Sequence, residues 1–334
     1  VVPAAALTIG TDGAVLSPHG ELAELGVRLF SDSSRAVQDP AVFRRALEYL
    51  GGVAAATGRR LVAAQRVHDD ALVGPGVMHE GSWSARLGLP GMPAVAEELM
   101  VDRTIALARL TGTPVHLQQL STAAAVDAVR AAKADGVPVT AEVSPHHLVL
   151  DHEALASYDP NLKVAPPVRT PRDREALVNG VADGTIDAIA TDHHPHTMDA
   201  KERPFDQAPF GVLGLETALA VLMTETPLGL ERLVAALSWQ PASVAGLADH
   251  GGPIVVGRPA NLTVVDPDQA WTVGIGSFGG YAANSPFLGR RLTGRVRHTI
   301  HRGRAVVVDG SLVDPTPASG GTVRPSIASA GARP

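Results

Sequence analysis

The chain contains no cysteine. That absence excludes a disulfide scaffold, a thiolate-held zinc or iron–sulfur centre and a cysteine nucleophile. Long hydrophobic runs are missing too: none reaches the roughly 18 residues of a membrane span. The first residues, VVPAAALTIG, lack the basic start of a secretory signal, so a cytoplasmic protein is the default expectation. Basic runs are also absent. Lys plus Arg is 28 against 34 Asp plus Glu, a net charge of −6, and phosphate backbones need clustered cations, so neither nucleic acid nor membrane is an expected partner. What is present is apolar material: 45% hydrophobic residues exclude disorder across the chain and suffice for a large core. At 334 residues the length suits one large α/β domain with an appendage, or two domains.

Short β-like runs alternate with longer amphipathic ones. Residues 1–7, 27–30, 60–65, 114–119, 138–143 and 186–191 read as strands. Most are near-continuous Val/Ala/Leu/Ile runs, as expected of strands buried on both faces of a parallel sheet. Residues 41–57, 93–110, 122–134 and 172–181 read as helices. For the last of these, Thr170 is an N-cap, Pro171 occupies the first turn and Asp173 has capping-box spacing. Repeated βα units predict an α/β fold, either a doubly wound sheet or a (β/α)8 barrel. Six such units precede residue 240, where a barrel needs eight. Residues 1–250 form the expected barrel domain. Residues 251–313 turn strand-rich with Gly and Pro turns, predicting a small β module, and residues 314–334 read as a disordered tail.

Thirteen histidines without cysteine direct attention to His/Asp chemistry. The densest string is Thr191-Asp-His-His-Pro-His196, directly after the buried run IDAIA. Asp192 therefore ends a strand, where barrel enzymes place catalytic groups, and can bind a metal or act as a general base. The structural alternative is a loop cap beside solvated histidines. His194 and His196 lie in a loop, so they do not share a face as they would on a strand. Glu142-Val-Ser-Pro-His-His147 also follows a strand, and there a structural role is favoured. Asp32 ends another strand in a position that plain turn residues often occupy.

Taken together, the strings resemble dihydroorotase, a cyclic amidohydrolase of pyrimidine biosynthesis. They are PAAALT (3–8), FSD (30–32), GVMHEG (76–81), LST (120–122), AEVSPHHLVL (141–150), NLKVAPPVRT (161–170), DGTIDAIATDHHPHT (183–197), APFGVLGLETAL (208–219), VGRPANLTVVDP (256–267) and NSPFLG (284–289). Ten strings in family order are far more specific than any one of them. The resemblance implies a (β/α)8 TIM-type barrel with a small β-sandwich, and zinc-dependent interconversion of dihydroorotate and carbamoyl aspartate. Asp192 matches the catalytic, metal-linked aspartate, and His196 the histidine that meets the substrate carboxylate. Phe210, Gly211 and Ala165 match segments that hold the ring. Asp32 lies where one branch of the family has a metal-bridging aspartate, although Ser-Asp-Ser-Ser stands here in place of Ser-Asp-Asp-Gly.

The pattern also breaks. The strings place Val1 at the third barrel strand, so barrel strands 1 and 2 and the HxHxR string they carry lie outside these residues. Without a gap, Arg66 takes one metal-ligand position, and only an alignment shifted by two residues would bring His68 there. A guanidinium stays protonated and has no lone pair for zinc. Gln119 takes another ligand position, and His116, two residues back, is displaced by about 7 Å at a ~3.3 Å rise per residue. Three readings follow. The first is a catalytically impaired dihydroorotase-like paralogue that acts as a structural partner of aspartate carbamoyltransferase, with zinc occupancy in doubt. The second is an active zinc dihydroorotase whose HxH segment lies outside this chain. The third is a related hydantoinase- or allantoinase-type amidohydrolase. Six strands leave two open edges, so further N-terminal chain, or a partner in a homo- or hetero-oligomer, is expected to cover them.

Overall fold

Runs such as Val62-Ala-Ala-Gln65 expose neither face to water and form the middle of a parallel sheet. The computed structural model describes residues 2–33, 35–247 and 250–313. In chain order its strands are β1 (Leu29–Phe30), β2 (Val62–Arg66), β3 (Met78–His79), β4 (Gly91–Met92), β5 (Val115–Gln118), β6 (Val139–Val143), β7 (Ala188–Ile189), β8 (Leu262–Thr272), β9 (Arg291–His301), β10 (Arg304–Val308) and β11 (Ser311–Leu312). The parallel sheet has the order β1-β2-β5-β6-β7. Helices Pro40–Thr57, Val95–Thr111, Ala123–Ala134 and Pro171–Asp183 make the crossovers, which gives the βα arc of a TIM-type barrel. Helix Pro40–Thr57 shows why these segments are helical. Asp39 caps it by accepting from the Ala41 N–H (2.7 Å), and Gly58 ends it at φ 64°. Val42, Phe43, Ala46, Leu47 and Leu50 recur on one face and are buried. The capping box of Thr170 and Asp173 forms as expected.

Two strand expectations need correction, and one strand pair is additional. Of the expected strand 1–7, Val1 lies outside the described residues, and among residues 2–7 only Ala5 pairs, as an isolated bridge to Phe30. Pro3 has no N–H to donate, and two residues beyond the bridge the chain bends so that Thr8 can reach Asp32. The run 186–191 contracts to β7, because its end turns into Asp192 at φ 48°. The pair β3–β4 was not foreseen, since two-residue strands are too short to show alternation. Beyond β7, His193 bridges to Val212 and extends the arc.

The strand-rich texture expected from residue 251 begins at Leu262. Gly251, Gly252, Pro253, Gly257 and Pro259 interrupt pairing before it. From there a four-stranded antiparallel sheet runs β11-β10-β9-β8. Its β9 end is tied to helix Ala218–Glu225 by the Thr293 N–H, which donates to Thr224 Oγ1 (2.8 Å). The expected tail, 314–334, lies outside the described residues. Among the described residues no helix is long and apolar enough to cross a membrane.

Candidate active site

The parallel register brings the candidate residues to one end of the sheet. β2 and β5 pair Arg66 with Gln118, so Arg66 and the next residue, Gln119, emerge side by side. Gln119 Nε2 donates to Asp192 Oδ1 at 2.5 Å, across the end of the sheet. Both residues are non-glycines in the left-handed region, at φ 58° and φ 48°. Such backbones cost on the order of 1–3 kcal/mol each and persist where surrounding contacts enforce them. Arg66 is anchored from the other side, its NH2 donating to the Ala165 carbonyl at 2.6 Å.

Asp192 has an 8% exposed side chain. Burial pushes its carboxyl pKa up, but the His194 hydrogen bond and the charges of His194 and Arg66 help to outweigh burial and hold it below the ordinary value. His194 Nδ1 lies 3.2 Å from Asp192 Oδ1, and that bond raises the His194 pKa. The result is an ionised carboxylate ringed by a guanidinium, an amide and a protonatable imidazole.

The other candidate ligands, Asp32 and His68, point elsewhere, and His116, not expected to substitute, is engaged too. Both oxygens of Asp32 are taken by Thr8, from its N–H (2.9 Å) and its hydroxyl (2.5 Å). His68 turns toward Asp70, with Nε2 3.8 Å from Oδ1, and burial followed by the Arg66 charge lowers its pKa to about 4. His116 is spent inside the sheet on Thr140 Oγ1 (2.8 Å) and Glu142 Oε2 (3.0 Å). A catalytic zinc takes three protein ligands, and among the described residues no group of three or more His, Asp or Glu side chains converges to hold a metal. The set around Asp192 does not fit the ion: Arg66 brings a fixed positive charge, and Gln119 offers Asp192 an N–H.

The expected ring-binding residues do come together. His196 Nε2 donates to the Phe210 carbonyl at 2.7 Å. A Cβ on Gly211, at φ 121°, would lie 2.5 Å from His194 Cβ, so only glycine lets this loop pack against the Asp192 loop. The sequence reading did not single out Asn284, which clamps both loops. Its Oδ1 accepts from the His196 N–H (3.0 Å), and its Nδ2 donates to the carbonyls of His194 (2.9 Å) and Gly211 (3.2 Å). The available signal was its place in NSPFLG. A cavity of about 390 Å³ adjoins the cluster, lined by His193, His196, Leu213, Glu216, Phe278 and Tyr281. Its wall includes His196 but not Asp192, Arg66 or Gln119, so it lies beside the strand-end cluster and does not contain it.

Four further strings are held together by buried contacts. In SPHHL the protons run in one direction. His147 Nε2 donates to the Pro166 carbonyl (3.0 Å), so its Nδ1 accepts from the Ser144 hydroxyl (2.5 Å), which in turn accepts from His146 Nε2 (2.8 Å). Both histidines are buried and neutral, and burial lowers the His146 pKa to about 4. MHEG, LST and APPVRT meet at a buried pair. Arg169 NH2 stands 3.6 Å from Glu97 Oε2, both side chains being at most 3% exposed. Arg169 also donates to Ser121 Oγ (3.0 Å), the Met92 carbonyl (2.9 Å) and His79 Nδ1 (3.2 Å). Glu97 accepts the N–H groups of Ser121 (2.7 Å) and Thr122 (3.0 Å) and both hydroxyls.

Comparison with known proteins agrees with the strings. The family described as "Amidohydrolase family" matches residues 65–306, and "Dihydro-orotase-like" matches residues 1–125. The "Dihydroorotase" of Leifsonia xyli subsp. xyli is 44% identical over 320 residues, 94% of this chain and 72% of that protein. The "Dihydroorotase" of Streptomyces coelicolor is 45% identical over 318 residues, 93% of this chain and 73% of that protein. That of Mycobacterium tuberculosis is 43% identical over 318 residues, with the same coverage. Among solved structures, a D-hydantoinase crystal structure superposes with TM-score 0.75 at 21% identity, covering 88% of this chain and 67% of that one. The L-hydantoinase (dihydropyrimidinase) of Arthrobacter aurescens superposes with TM-score 0.77 at 22% identity, covering 88% and 68%. At those identities the structural likeness carries the fold alone.

Proposed function

The chain belongs to the dihydroorotase family of amidohydrolases, and from that premise we propose that it recognises the dihydroorotate and carbamoyl aspartate pair of pyrimidine biosynthesis while being impaired in their interconversion. One observation carries the reading: Gln119 donates to Asp192, and Arg66 ends the neighbouring strand with its charge acting on that carboxylate; we take both residues to stand at metal-ligand positions of the family pattern. The residues that would orient the ring are held in place. His196, Phe210 and Gly211 are locked together by Asn284, and the Ala165 carbonyl is fixed by Arg66. Recognition is therefore supported, while the metal chemistry of the relatives is not. A chain that keeps packing and ligand loops but not ligands for the metal suits a scaffolding role, and we assign it as a structural partner of aspartate carbamoyltransferase.

The test is turnover of L-dihydroorotate by the full chain, followed by ultraviolet absorbance with and without added zinc, together with co-purification with aspartate carbamoyltransferase. Absent turnover and a stable complex are expected. Robust zinc-dependent turnover would sink the impaired reading and favour an active dihydroorotase. That second reading has its own supporting observation, the ionised Asp192 paired with His194. Under it, Asp192→Asn abolishes turnover.

A further inference from the structure

The misfit with zinc at Asp192 has a definite form, because something else supplies the positive charge. A carboxylate that is 8% exposed is costly to keep ionised without a counter-charge. Arg66 stands at the end of β2, its guanidinium anchored on the Ala165 carbonyl and acting on Asp192 through space. Gln119 closes a second side by donating to Asp192 Oδ1. A divalent ion would have to displace that amide and approach a charge that never deprotonates. The other oxygen, Asp192 Oδ2, has no hydrogen-bond partner among the described residues and is not sealed from solvent.

We infer that Arg66 is a resident cation that takes the metal's place, making Arg66, Gln119 and Asp192 a metal-independent subsite for a planar amide or ureido group carrying a carboxylate. The ligand's N–H donates to Asp192 Oδ2, and its negative charge sits in the field of Arg66. No bond is made or broken, and the ligand leaves unchanged. This rests on the impaired reading above for its ligand class, but its own test concerns metal and binding, not turnover.

The experiment uses the full chain dialysed against a chelator. Binding of L-dihydroorotate and of N-carbamoyl-L-aspartate is measured calorimetrically, with and without added zinc. Zinc content is measured by mass spectrometry on wild type and Asp192→Asn. The expected result is binding of one of these acids that neither chelator nor zinc alters, with no zinc that depends on Asp192. Arg66→Met then weakens binding by about tenfold or more, the worth of a charge-assisted contact, and Arg66→Lys recovers part of it. Three results would overturn the inference: stoichiometric zinc lost in Asp192→Asn, binding that requires zinc, or no binding of either acid by folded wild type. If Arg66→Met does not fold, the wild-type binding and zinc measurements still decide. Turnover that persists in chelator would remove the impaired reading and leave the resident cation standing.

Discussion

Replacing Arg169 by methionine tests whether the family strings around it are support and not chemistry. The substitution keeps an unbranched apolar stem but removes the guanidinium and its charge. Glu97 is then left 2% exposed with four hydrogen bonds and no counter-ion. Breaking a buried pair from one side costs about 3–5 kcal/mol, because the remaining charge is stranded. Across 334 residues, an unfolding entropy near 2.1 cal/mol/K per residue gives about 0.7 kcal/mol/K, so Tm should fall by about 4–7 °C. Differential scanning calorimetry at neutral pH reads the shift. Glu97→Gln in the same background should return part of the loss, since a glutamine oxygen still accepts from the Ser121 and Thr122 N–H groups. The coupling between the two sites should be about 2 kcal/mol. A Tm for Arg169→Met within about 1 °C of wild type, or costs that simply add in the double variant, would refute the argument.

Three further outcomes are expected. Folding stability should fall as pH drops from about 6.5 toward 4. His68, His79 and His146 have folded pKa values near 4 and that of His147 is held well below its ordinary value, each chiefly through burial, so the unfolded chain binds more protons in that window. The slope is on the order of 1.4 kcal/mol per pH unit per histidine, and a flat urea midpoint between pH 6.5 and 4.5 would contradict it. Gly211→Ala should cost about 1–3 kcal/mol through its left-handed backbone and the clash with His194 Cβ, with ligand binding lost before global unfolding. Unchanged affinity in that variant would detach this loop from recognition. Thr170→Ala should destabilise by about 1 kcal/mol by removing the cap on the Asp173 N–H, measurable by urea titration.

Much of the fold was legible because its signals are local. The Asp39 and Thr170 caps, the helical apolar spacing of residues 42–50 and the buried runs before Arg66 and Gln119 each reside in one segment. The strand ends that carry Arg66 and Gln119 were readable for the same reason. Asp32 shows the limit. Its place at a strand end was visible, but its carboxylate is claimed by Thr8, 24 residues away, through a bend that no local pattern encodes.

By itself, then, the sequence determined the alternation of strand and helix, the presence of Arg66 and Gln119 at two strand ends and the glycine at residue 211. Tertiary structure alone decided which groups share the charge of Asp192, that Asn284 ties two distant loops, and that MHEG, LST and APPVRT meet at one ion pair. The physical reason is that propensity and periodicity act between neighbours along the chain. Charge compensation and hydrogen-bond satisfaction in a buried site act between neighbours in space, and only the register of β2 on β5 and the turn after β7 fix who those neighbours are.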